Sequence, residues 1–301
     1  MGFFATFWSW LDGQLASYIG NHTAHLAAVL EPAIVAAGTI YVMAWGYLQM
    51  SGRIEEPVGA GLRRILLLAL VLGSSLRLWL YNAVIVDAFY AGPAQLAAAI
   101  VGAGDPVGTV DAIWDSGGAV AGALWSKGGV MSGDFGFYIA GAFVWLLMGL
   151  LCVYAMFLLA LSHIALAVLL ALGPLFIAAA LFDGTRRIFS AWMAQLANYA
   201  LVTVLTVMIA ALLLQVVKSY AAQTAARGAA ILTVDALNMV LVAGLVLLVM
   251  RQIMPIAGGL SGGLALNSFG ALSGSLHWGA RQWRTAILPA AKRALAGSPE
   301  A

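Results

Sequence analysis

His22 and His25 stand three residues apart, close to one helical turn, a spacing at which two imidazoles can share a metal ion. No further histidine or cysteine lies near them, so an interfacial pair is the better reading than a metal centre. His163 raises a different chemistry, because an ionisable ring inside an apolar run suggests a proton relay. Its own block offers no carboxylate as partner, which favours a satisfied polar group at a turn between two helices. Trp192, Gln195, Tyr199, Thr203 and Thr206 are spaced 3, 4, 4 and 3 and so share one helical stripe. Polar residues in membrane helices mostly hydrogen-bond other helices, so packing comes first for this stripe. A channel-lining or subunit-contact stripe is the alternative. The glycine-rich stretch 258–274 has no Walker lysine and is no phosphate loop. HExxH and paired intramembrane aspartates are absent, so no enzyme, cofactor or metal is expected.

The elements that must carry these residues are membrane helices. Of 301 residues 63% are hydrophobic and only 9% charged, against about a quarter charged in an ordinary soluble domain. Mean hydropathy is +0.98. The single cysteine, Cys152, excludes a disulfide framework and a cysteine-based metal site. The first residues have no basic start and do not read as a signal peptide. The expected fold is therefore all-α and polytopic.

Between Asp134 and Asp183 lie 48 residues with no acidic or strongly basic side chain, enough for about two crossings of a bilayer. Two crossings would return the chain to its starting side, yet Arg186 and Arg187 follow. Gly173-Pro174 interrupts the run, since proline removes a backbone donor and crowds the preceding turn. Pro32 opens the first of five spans, expected at about 33–50, 62–80, 135–158, 188–217 and 234–250, with 162–182 re-entrant or a broken half-helix. Lysine and arginine gather in cytoplasmic loops. The tail 251–301 is net +4 and the interval 82–134 net −4. Five crossings, with the N-terminus periplasmic and the C-terminus cytoplasmic, satisfy every loop. Six would put either the tail or the 53–64 turn on the wrong side. Five regions follow: an amphipathic periplasmic arm over 1–31, two spans over 32–81, and an acidic periplasmic loop over 82–134. A membrane core over 135–250 and a basic cytoplasmic tail over 251–301 complete them. Arg186 and Arg187, with Asp183 beside them, mark the cytoplasmic boundary, or alternatively touch an acidic partner or lipid head groups.

Two blocks carry a family likeness: Gly173-Pro-Leu-Phe-Ile177 with 181–189 and 192–198, and the run 252–263 after the last span. Together they resemble the polytopic inner-membrane subunit of type IV secretion systems, the TrbL-like conjugal transfer family, most strongly over 136–263. The resemblance implies an external N-terminus, a large periplasmic loop, a cytoplasmic C-terminus and a place in the inner-membrane translocation channel. Its implied partners are secretion ATPases, single-span inner-membrane subunits and pilus components. It also implies functional weight for a tryptophan at position 192.

Three functions compete on this reading. A channel or assembly subunit, homo-oligomeric, would pass a protein or protein-led DNA substrate. A secondary transporter fits the broken helix and His163, but a second interrupted segment in a matching half is missing. A purely structural scaffold would need the same small and polar helix contacts. The acidic 82–134 interval disfavours tight direct DNA binding, because phosphates are held by lysine and arginine.

Overall fold

The computed structural model describes residues 2–52, 73, 78–102, 106–128, 135–181, 184–227 and 233–262. All regular structure among them is helical. α1 is Phe3–Met50, α2 is Leu78–Tyr81, and a π-helical segment covers Asn82–Ala91. α3 (Gly92–Val101), α4 (Pro106–Lys127) and α5 (Phe135–Ala171) follow. α6 (Gly173–Ala178) runs into a 3-10 turn, Ala179–Leu181. α7 is Arg186–Arg227 and α8 is Thr233–Met250, with a further helical stretch over 253–262.

Five helices are long and apolar enough to cross a membrane, the number expected. They are not the same five. Asn82–Val101 joins the set, whereas most of the expected 62–80 span lies outside the described residues. The interval 82–134, expected as a loop, is helical over Asn82–Val101 and Pro106–Lys127.

α5 forms the centre, packed against α1, α4, α7 and α8. It resolves the puzzle of the long uncharged run. Rather than two crossings, 37 residues form one helix of about 55 Å, with the break and then the arginines at its far end. Ser162 and His163, expected to begin a separate segment, lie within it. Their side chains turn back onto the Leu159 carbonyl, at 2.8 Å from Ser162 Oγ and 3.1 Å from His163 Nδ1, so neither interrupts the helix. Within 162–182, expected as re-entrant or a broken half-helix, the helix breaks after Ala171.

α4 and α5 pack as a hairpin in which small residues admit large ones. Gly117 lies under Met148 and Gly141 under Trp125, so a Cβ at either position would collide. At the corner Tyr138 Oη donates to the Gly128 carbonyl at 2.7 Å.

α1 is continuous through Pro32, which was expected to open a new span. One lost backbone donor, opposite the Ala28 carbonyl, does not end an apolar helix of this length. The part expected as a surface arm packs too: Phe4, Ile19, Thr23 and Ala27 are buried, as are Ile34 and Gly38 beyond it. Trp8 lies beside His163, and Ile19 is grouped with Leu166, Leu170 and Ile177. The first turn of α1 is held from a distance. The Phe4 and Ala5 amides donate to Asp111 Oδ1 and Oδ2 at 3.1 and 3.0 Å. A carboxylate there satisfies two orphan donors and complements the positive end of the helix.

Candidate functional site

The break between α5 and α6 gathers the residues singled out in the sequence. Pro174 has no N–H, so the Leu170 carbonyl four residues earlier loses its helical donor. Tyr81 supplies the replacement, its Oη donating to Leu170 O at 2.5 Å. One residue earlier, Trp192 Nε1 donates to the Leu169 carbonyl at 2.9 Å. On the return side Thr185 Oγ1 donates to the Ala179 carbonyl at 2.6 Å. Three side chains from separate elements thus satisfy carbonyls that the broken helix exposes. Irregular backbone survives at membrane depth only under such conditions.

Gly173 is required by this arrangement. A Cβ at 173 would overlap the Tyr81 phenol. Gly173 and Pro174 are both buried, as are Tyr81 and Trp192, at 1% and 2% exposure for the last two. The indole of Trp192 stacks on Phe176 with ring centres 5.7 Å apart and planes 16° apart. The Phe189 ring lies at 5.7 Å from it as well, tilted by 43°. Proline and glycine make the break, and Trp192 and Tyr81 hold it.

The stripe beginning at Trp192 is not uniform. Trp192, Thr203 and Thr206 are buried, Tyr199 is half-buried and Gln195 is exposed. A three-residue step turns a side chain back by about 60° at 100° per residue, which puts Gln195 on the flank of the stripe. Thr203 meets α5: its hydroxyl and that of Ser162 lie 2.8 Å apart, one hydrogen bond between helices. Thr206 Oγ1 instead donates to Val202 O of its own helix at 2.7 Å. Arg186 and Arg187 are exposed at the start of α7, beside the break, and Asp183 lies outside the described residues.

His22 and His25 are both exposed on α1. His22 stacks on Tyr18 with ring centres 4.0 Å apart, an aromatic pairing along one helix face. The residue that sequence reasoning missed is Tyr81. A buried Gly-Pro break demands hydrogen-bond donors, but which aromatic residue answers it depends on a contact across 89 positions.

Residues 38–253 match the family described as TrbL/VirB6 plasmid conjugal transfer protein. Among curated relatives, type IV secretion system protein VirB6 of Bartonella quintana (strain Toulouse) is 22% identical over 205 residues, 64% of this chain and 60% of that protein. The VirB6 protein of Bartonella henselae is 22% identical over 197 residues, with the same coverage. The chain thus spans about three fifths of the length of these relatives. A match across well over half the chain, covering the α5–α7 pair and its bonded break, shows that this multi-pass helical protein belongs to the TrbL/VirB6 family of plasmid conjugal transfer proteins.

Proposed function

We propose that the chain is an inner-membrane channel or assembly subunit of a type IV secretion machine. In this reading it contributes to passage of a protein or protein-led DNA substrate and to pilus assembly. The observation that carries it is the TrbL/VirB6 match across 38–253, which includes the whole broken-helix region. The VirB6 likeness supports the secretion setting, and the five apolar helices support the membrane one.

The break supplies the mechanical part. A helix interrupted in mid-bundle can change its angle at a point whose carbonyls are already satisfied by side chains. Trp192 and Tyr81 would fix that angle, so the position of Arg186 and Arg187 would follow from it. Those arginines would lie at the cytoplasmic face, near the secretion ATPases, with the N-terminus on the periplasmic side. Several copies would pack side by side, with exposed Gln195 at a subunit contact and the buried members of its stripe at helix contacts within one copy. The chain itself would perform no covalent chemistry and need no cofactor.

Mild-detergent purification of the tagged full chain from its own host tests this reading. Recovery as a multimer with secretion ATPases, single-span subunits and pilus components is the expected result. Recovery alone, as a small discrete particle, would contradict it.

A further inference from the structure

His163 lacks a carboxylate in its own segment, but folding brings one. The imidazole is buried in the interior, 4% exposed, at the junction of α1, the π-helical segment and α5. The Trp8 ring from α1 meets it edge-on, with centres 4.6 Å apart and planes at 80°. The Tyr90 ring from the π-helical segment meets it at 5.3 Å and 73°. Tyr90 Oη donates to Asp12 Oδ1 at 2.8 Å, which fixes the Asp12 carboxylate one turn beyond Trp8, joined to His163 through the Tyr90 ring.

The hydrogen bonds define which nitrogen is basic. His163 Nδ1 lies 3.1 Å from the Leu159 carbonyl, and a carbonyl oxygen only accepts. Nδ1 therefore carries the hydrogen, and Nε2 holds the free lone pair. A proton arriving at Nε2 would make a buried imidazolium, whose desolvation cost the Asp12 carboxylate beyond Tyr90 offsets as counter-charge. Asp12 is half-buried and offers a route from the surface.

We propose that His163, Trp8, Tyr90 and Asp12 form a proton-binding site in which His163 Nε2 takes the proton and Asp12 balances it. The groups that face it from its neighbours are Asp12 on α1 and Tyr90 on the π-helical segment. From α7 the nearby Thr203 hydroxyl, bonded to Ser162, brings no charge. Asp87 of the same π-helical segment is exposed. π-Helical turns recur at functional sites because the wider turn re-aims side chains. Here the Gly92 amide reaches back five residues to the Asp87 carbonyl at the segment's end, just past Tyr90.

The test uses the full chain labelled with [15N]histidine in lipid nanodiscs. The His163 nitrogen signals are identified by their loss in His163→Gln and followed from acid to mildly alkaline pH. The site predicts that His163 passes between neutral and imidazolium shifts within that range. Asp12→Asn should weaken proton binding by about tenfold, the effect of removing the opposite charge of the cluster. A His163 signal that stays in one form throughout would overturn the proposal. So would an Asp12→Asn midpoint equal to that of the unaltered protein. The titration of the unaltered protein decides the matter even if that variant does not fold.

Discussion

The phenol of Tyr81 donates to the carbonyl of Leu170, the one acceptor that Pro174 leaves without its helical donor. Two residues 89 positions apart thereby complete a backbone that the local sequence breaks. Tyr81→Phe removes only the hydroxyl and leaves that carbonyl bare. The expected loss is about 1 kcal/mol, toward the upper end for hydrogen bonds between membrane helices. Unfolding in detergent, compared with the unaltered chain, measures it.

Gly173→Ala should destabilise more than Tyr81→Phe, because its Cβ overlaps the Tyr81 ring as well as its hydroxyl. In a Tyr81→Ala background the same change should cost much less. A double-mutant cycle on Gly173 and Tyr81 reads this coupling directly, and additive effects would contradict the contact.

Trp192 acts through two contacts that can be separated. Trp192→Phe keeps an aromatic ring against Phe176 but loses the bond to Leu169. Trp192→Ala loses both, with an expected cost of about 3–5 kcal/mol for a large buried aromatic. Subunit abundance and thermal stability should fall in the order unaltered, Phe, Ala.

Asp111→Ala should loosen the first turn of α1, since the Phe4 and Ala5 amides lose their acceptors. Loss of a capping side chain costs about 1 kcal/mol. Hydrogen exchange over the first residues of α1 should accelerate while α5 stays protected. Equal protection in both forms would show that Asp111 does not hold that turn.

The class of the protein was legible in its sequence because hydropathy and charge clustering act locally. The break at Gly173-Pro174 was legible for the same reason: proline acts on its own turn. Trp192 stood out through the family likeness and as the first member of its stripe, but its acceptor, Leu169, did not. Tyr81 was invisible because its role exists only through tertiary contact. The grouping of His163 with Tyr90 and Asp12 was invisible likewise, since the three come from separate helices. Pro32 misled in the opposite direction: a residue that breaks short helices is absorbed by a long apolar one.

The most direct measurement is substrate transfer by the host after deletion of this chain, with complementation by the unaltered form and by Trp192→Ala. The account predicts that deletion abolishes transfer and pilus formation, that the unaltered form restores both, and that Trp192→Ala restores neither fully. Normal transfer and normal pili in the deletion strain would contradict the assignment to the secretion machine.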